Sequence, residues 1–123
     1  MADFQVRAVT KYVMGSPLKA RRVVNVVRGM PALQALEILD LMPQAAAEVV
    51  SKTIKSAVAN ADENFGLDVN DLVIAEIMAN EGPRLRRVRF GARGRVKPIR
   101  KRTCHITVIL EEQEQEEEAY FGA

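Results

Sequence analysis

The 123-residue sequence has one cysteine, one histidine, no tryptophan and only four Phe with two Tyr. A lone Cys104 forbids an intramolecular disulfide, excludes the four-ligand cysteine zinc sites and fits a reducing compartment. His105 has no second histidine with which to share a metal, and strand alternation turns Cys104 to the opposite face. It reads as a structural strand histidine or one that touches a bound nucleic acid. Six aromatic rings at most are too few for a surface that stacks many bases, so any binding to nucleic acid must rest on Arg and Lys. No apolar run approaches the ~20 residues that span a bilayer, and no membrane partner is expected. Met1 to Thr10 alternates polar and apolar residues without an apolar h-region, so no secretory signal is expected there. A Gly-rich phosphate loop, a nucleophile elbow and a paired acid/base constellation are all missing. Asp62, Glu63, Asp68 and Asp71 lack the spacing of a Ca²⁺ loop. No catalytic residue, metal, cofactor or small-molecule substrate is therefore expected.

What is present is charge, and it is sorted along the chain. The formal net charge of +2 comes from 18 Lys+Arg and 16 Asp+Glu. Six of the acids fall between Glu111 and Glu118, leaving a body of +8 over residues 1–110 and a tail of −6. Arg84 to Arg102 holds ten basic residues and no acid, and Arg7 to Arg28 holds six and no acid. Two such blocks on one small domain point to a polyanionic partner. Eight of the ten cations in the second block are Arg, which suits forked contacts to phosphate and stacking on bases.

Val6, Ala8 and Thr10, with Phe4, alternate with Gln5, Arg7, Val9 and Lys11, the pattern of a half-buried strand with a basic face. Ser16-Pro17 reads as the N-cap and first position of a helix that runs to Arg28 and stops at Gly29 and Pro31. Ala20, Val23, Val24 and Val27 form its core stripe, and Leu18, Arg21, Arg22, Asn25 and Arg28 its other face. A second helix from Pro31 to Met42 buries Leu33, Leu36, Ile38 and Leu39 and carries no cation. A third, Gln44 to about Asn64, has a stripe of Ala47, Val50, Ile54, Ala57, Val58 and Ala61, with Gly66 as its stop. Met14, Met30, Met42 and Met78 read as core filler. Beyond Asp68 the period becomes two: Leu72, Ile74, Glu76 and Met78 alternate with Val73, Ala75, Ile77 and Ala79, and Cys104, Ile106, Val108 and Leu110 alternate with His105, Thr107 and Ile109.

Between these strands lies residues 81–103, too long for a structureless loop in a small domain unless it is functional. A long β-hairpin whose arms continue the two strands is expected, reaching roughly 30 Å from the sheet at ~3.3 Å per residue. Its few apolar residues could not order it alone, so an anionic partner must, and folded RNA fits better than a DNA groove.

These residues resemble the bacterial-type family of the large-subunit ribosomal protein numbered twenty-two in the universal nomenclature. The likeness covers about residues 5–110. It rests on Ser16-Pro17-Leu18-Lys19-Ala20-Arg21 through Val27-Arg28-Gly29, on Ser56-Ala57-Val58-Ala59-Asn60-Ala61, on Asn80-Glu81-Gly82-Pro83, on Gly94-Arg95, and on Lys101-Arg102-Thr103-Cys104-His105-Ile106-Thr107-Val108. The resemblance implies an α+β fold, three helices packed on a three-stranded antiparallel sheet with a long protruding hairpin. By length and charge, residues 1–110 are expected to form one domain, and the acidic end, residues 111–123, which is not part of the family core, is expected to be disordered. The resemblance also implies a non-enzymatic constituent of the large subunit in the cytoplasmic ribosome, which binds and bridges domains of large-subunit ribosomal RNA during assembly. Its partners would be that RNA, other large-subunit proteins and the nascent polypeptide, because the family's hairpin tip lines the exit tunnel.

Carried over by motif, the tip spans about Arg84 to Arg95, with Leu85, Arg86, Arg87, Val88, Arg89, Phe90 and Gly91 on the tunnel wall. The run associated in the family with macrolide resistance falls on Leu85, Arg86 and Arg87. The candidate RNA-binding residues are Arg7, Lys11, Ser16, Lys19, Arg21, Arg22 and Arg28 in the body. In the hairpin they are Arg84, Arg86, Arg87, Arg89, Arg93, Arg95, Lys97, Arg100, Lys101 and Arg102. Where the family usually has Pro-Arg before Ala92, this chain has Phe90-Gly91, which removes one tip cation. A rival reading, a DNA-binding regulator using the first two helices as a helix-turn-helix, is weakened because the second helix would enter the groove without Lys or Arg.

Overall fold

A computed structural model describes residues 5–112, and in the hairpin it describes the backbone but not the side chains of Arg87, Arg89, Pro98, Ile99 and Arg100. The order is β1 (Gln5–Met14), α1 (Pro17–Val27), α2 (Ala32–Leu41), α3 (Ala45–Phe65), a 3-10 turn (Val69–Asp71), β2 (Leu72–Glu81), β3 (Leu85–Phe90), β4 (Val96–Lys101) and β5 (Thr103–Glu112). The α+β architecture expected from the sequence is present. Three helices cover an antiparallel sheet of order β1-β5-β2, and β3 and β4 form a separate two-stranded ribbon.

β5 takes the centre of the sheet, and its sequence explains why. Cys104, Ile106, Val108 and Leu110 are all buried toward the helices, while Thr107 is buried as well. The two neighbours then need only one apolar face each. Val6 and Ala8 supply it on β1 beneath α3, with its Ala47, Val50, Ile54, Ala57 and Ala61, while α1, with Ala20, Val23, Val24 and Val27, covers β2. α3 ends as its sequence dictates: Gly66 adopts a left-handed φ of 63°, and Leu67 N–H returns to Ala61 O at 3.0 Å, closing the helix end. Thr53, buried in α3, donates to Val49 O at 2.9 Å, so the 2.7 Å contact with Thr10 has the Thr10 hydroxyl as donor. One polar link thus fixes α3 over β1.

Four expectations need correction. Strict alternation in β2 fails because the pairing with β5 shifts between Ile74 and Glu76. The bulge reverses the phase, so Leu72, Ile74, Ile77 and Ala79 all face inward and Glu76 escapes to solvent. In α2 the buried positions are Ala32, Ala35 and Leu39, whereas Leu33 is exposed and Leu36 and Ile38 are half-buried; small residues let α2 sit close on α3. Met14 is exposed at the end of β1 and is not core. Finally, β5 continues through Glu111 and Glu112, which pair with Val73 and Leu72, so the sheet takes up the first two tail acids. The rest of the expected disordered tail, and Phe4, lie outside the described residues.

Candidate nucleic-acid interface

The hairpin is a ribbon of two six-residue strands paired from Leu85↔Lys101 to Phe90↔Val96. It carries its end roughly 20 Å at ~3.3 Å per residue, shorter than expected, because the arms do not continue β2 and β5 without a break. The turn is Gly91 to Arg95, closed by Gly91 N–H on Arg95 O, and Arg93 sits in it at a φ of 60°. Leu85, Arg86, Val88 and Phe90, expected at the tip, lie along the ascending arm together with the backbone positions of Arg87 and Arg89. Leu85, Arg86 and Arg87 are at its root.

Register divides the ribbon into two kinds of surface. Val88 and Phe90 alternate with their neighbours on β3, and Phe90 pairs with Val96 across the strands while Val88 pairs with Pro98. Val88, Phe90 and Val96 are 63%, 82% and 55% exposed, an apolar strip that no other described residue covers. Leu85, Lys97 and Lys101 take the alternate positions and share them with the backbone positions of Arg87 and Arg89. Arg86, Arg93, Arg95 and Arg102 are exposed as well.

At the root, Gly82 is required for space. A Cβ there would stand 2.6 Å from Thr103 Oγ1 and 3.1 Å from His105 Cε1. Thr103 cannot yield cheaply, since its side chain is buried and its hydroxyl donates to Pro83 O. Gly82 N–H also donates to Thr103 O at 2.9 Å, and Gly15 N–H to Arg102 O at 3.0 Å, tying the hairpin base to the sheet and to the end of β1. Gly82→Ala is expected to cost about 1 kcal/mol by overpacking and to lower Tm by roughly 4–8 °C in a thermal melt. Arg84 is engaged here too: its Nε and a terminal nitrogen reach Glu81 Oε1 at 3.1 and 2.9 Å.

The candidate RNA-binding cations of the body fall into three groups. Arg21 Nε donates to Ala79 O and a terminal nitrogen of Arg28 donates to Ile77 O, each at 3.0 Å. Both carbonyls belong to the outer edge of β2, where Ile74 N–H also meets Met30 O at 2.9 Å. Two of the residues expected on RNA therefore saturate an edge strand that would otherwise invite another chain. Lys19 and Arg22 instead rim a cleft of about 550 Å³ between α1, α3 and the ends of β1 and β5. Ser16 lines it, and its hydroxyl makes no capping bond to α1. Arg7 and Lys11 are exposed on β1, away from the helices. Lys19, Arg22, Arg7 and Lys11 form no ion pair or side-chain hydrogen bond with any described residue.

Cys104 lies in the floor of the cleft, and burial pushes its thiol above the ordinary range, so it stays protonated and inert near neutral pH. His105 accepts the Tyr12 N–H on Nδ1 at 3.0 Å, the structural role read from its strand position. No group of three His, Cys, Asp or Glu that could hold a metal occurs among the described residues. No helix among them is long and apolar enough to cross a membrane.

The family model for ribosomal protein L22p/L17e matches residues 8–111. The chain belongs to that family. It is similar to the large ribosomal subunit protein uL22 of Synechococcus sp. (strain JA-3-3Ab), 51% identical over 112 residues that cover 91% of each chain. It is similar also to uL22 of Synechococcus sp. (strain JA-2-3B'a(2-13)), 50% identical over 121 residues, 97% of this chain and 98% of that one. As a bacterial-type L22 it is a structural constituent of the large subunit of the cytoplasmic ribosome and not an enzyme. The uncovered cations and the two-surfaced ribbon belong to a protein whose working state is an assembly.

Proposed function

We propose that this L22 family member binds large-subunit ribosomal RNA through two separate cationic surfaces and bridges RNA domains as the subunit assembles. The body contributes Lys19, Arg22 and Ser16 at the cleft, with Arg7 and Lys11 on β1. The hairpin contributes Arg86, Arg93, Arg95, Lys97, Lys101 and Arg102, together with Arg87, Arg89 and Arg100 by sequence. Arg84 exchanges Glu81 for phosphate, while Arg21 and Arg28 serve the fold first and RNA only through charge that remains exposed.

The observation that carries this reading is the ribbon and its flanks: ten basic residues from Arg84 to Arg102 and an exposed apolar strip on an extension without a core of its own. Such a ribbon suits a boundary between RNA and a lumen. Its cations would neutralise phosphates, and Val88, Phe90 and Val96 would face the nascent polypeptide where the hairpin lines the exit tunnel. Leu85 to Arg87, at the arm root, would influence macrolide response by setting the register of β3 and so the position of the turn. Other large-subunit proteins would pack around the body. The helix-turn-helix alternative gains nothing, since the exposed positions of α2 include Glu37 and Asp40 and no cation.

Sedimentation of a tagged full-length chain from lysate tests the proposal. Co-migration with large subunits through a moderate-salt wash is expected, and a predominantly free or DNA-associated pool overturns it.

A further inference from the structure

Outside the turn of the hairpin, the only described non-glycine residue with a left-handed backbone is Tyr12, at a φ of 59°. Strain of this kind persists only where its surroundings impose it. Tyr12 is nevertheless 64% exposed, so burial of the ring does not compensate. The cause is a bulge: pairing of β1 with β5 runs regularly to Thr10↔Ile106, resumes at Val13↔Cys104, and leaves Lys11 and Tyr12 beside His105. There the Tyr12 N–H donates to His105 Nδ1, and the two rings meet edge to face with centroids 5.1 Å apart at 89°. Because Nδ1 accepts, the neutral imidazole carries its proton on Nε2. Gly82 supplies the room for that ring, since a Cβ would come within 3.3 Å of Nε2. An exposed aromatic is thus fixed in orientation by a bulge, a histidine and a glycine.

The electrostatic setting selects the occupant. Lys11 precedes Tyr12 on β1, and Arg102, just before β5, lies opposite Gly15, whose N–H its carbonyl receives; both cations are exposed. Neither β1 nor the stretch from Arg84 to Arg102 contains an acid, and Glu81, which pairs with Cys104 across the strands, is held by Arg84. An apolar protein surface would be poorly matched to an exposed ring on an acid-free edge that carries unpaired cations. An unpaired nucleotide matches it well, its base on the ring and its phosphates on the flanking charges.

We propose that Tyr12, positioned by His105, is a stacking platform for one unpaired base of ribosomal RNA at the root of the hairpin. This rests on the RNA-binding reading above and adds a contact of different chemistry. The platform lies where hairpin and body join, so a base held there locks the direction in which the hairpin leaves.

The test uses the full chain and a full-length large-subunit ribosomal RNA transcript, with affinity measured at two salt concentrations. Tyr12→Phe is expected to bind within about twofold of the parent, since the ring is kept. Tyr12→Asn tolerates the left-handed backbone but has no ring, and affinity is expected to fall roughly 5- to 100-fold with an unchanged salt slope. His105→Asn, whose side-chain oxygen can accept the Tyr12 N–H, should retain more affinity than His105→Val. Parent-like binding by Tyr12→Asn overturns the platform. If Lys19→Gln with Arg22→Gln still weakens binding and flattens its salt dependence, the RNA-binding reading survives that failure; if neither change matters, both readings fall. Should Tyr12→Asn not fold, ultraviolet crosslinking of unaltered assembled subunits decides. A nucleotide adduct on the peptide bearing Tyr12 supports the platform, and recovery of that peptide unmodified or joined to another protein overturns it.

Discussion

Replacing Arg93, Arg95 and Lys97 together by Gln is expected to weaken binding to large-subunit ribosomal RNA roughly 100- to 500-fold at about 0.1 M salt, and hardly at all near 1 M. The two figures share one cause. Each cation that neutralises a phosphate releases a condensed counterion, contributing roughly 0.7–0.9 to the slope of log affinity against log salt. Three lost contacts flatten the slope by about 2–3 and shrink the difference as salt approaches molar. These residues are chosen because the fold does not use them. All three are exposed, and none makes a side-chain hydrogen bond or ion pair with a described residue. Thermal stability of the free chain should stay within about 0.5 kcal/mol of the parent, as for ordinary surface changes. Filter binding across a salt series reads the slope directly. An unchanged slope would place the hairpin turn away from phosphate and remove the main support for RNA contact along the ribbon.

The same contrast between used and unused charge decides how far the sequence was legible. Period alone located the three helices and the strands, because burial on one face repeats every 3.6 or 2 residues whatever the tertiary details. The hairpin was legible for a related reason: ten cations without an acid have no place in a core. Its boundaries were not. The alternation runs on through Glu81 and Leu85, and only the crowding of Gly82 against Thr103 and His105 shows where the sheet ends and the ribbon begins. The β2 bulge was hidden because Ala75 suits either face, so nothing in the string of side chains marks the change of phase. Tyr12 passed unnoticed for a similar reason. One aromatic in a strand has no pattern to break, and its significance lies in a backbone angle and a partner 93 residues away.

Arg21 and Arg28 show most clearly why charge position along a chain does not by itself assign a role. On a helical projection they share a basic face with Arg22, and all three read as one RNA-binding stripe. Strand order separates them. β2 is an edge, its outward carbonyls at Ile77 and Ala79 have no strand to pair with, and the helix above places Arg28 and Arg21 on those oxygens. Charge-assisted hydrogen bonds contribute about 1.5–3 kcal/mol each, and the exposure of both side chains favours the lower end. Arg21→Ala with Arg28→Ala is accordingly expected to destabilise the body by about 2–4 kcal/mol and to lower Tm by roughly 10 °C or more. RNA affinity of the folded variant should fall less than tenfold, well short of the loss for the hairpin triple change. Lys19→Gln with Arg22→Gln should do the reverse, sparing stability and reducing affinity, since those side chains rim the cleft and hold no backbone. A melt and a binding isotherm on the two pairs separate the roles. If the Arg21 and Arg28 pair proves thermally silent and costly to binding, the β2 edge needs no arginine, and the first helix presents one undivided surface to RNA after all.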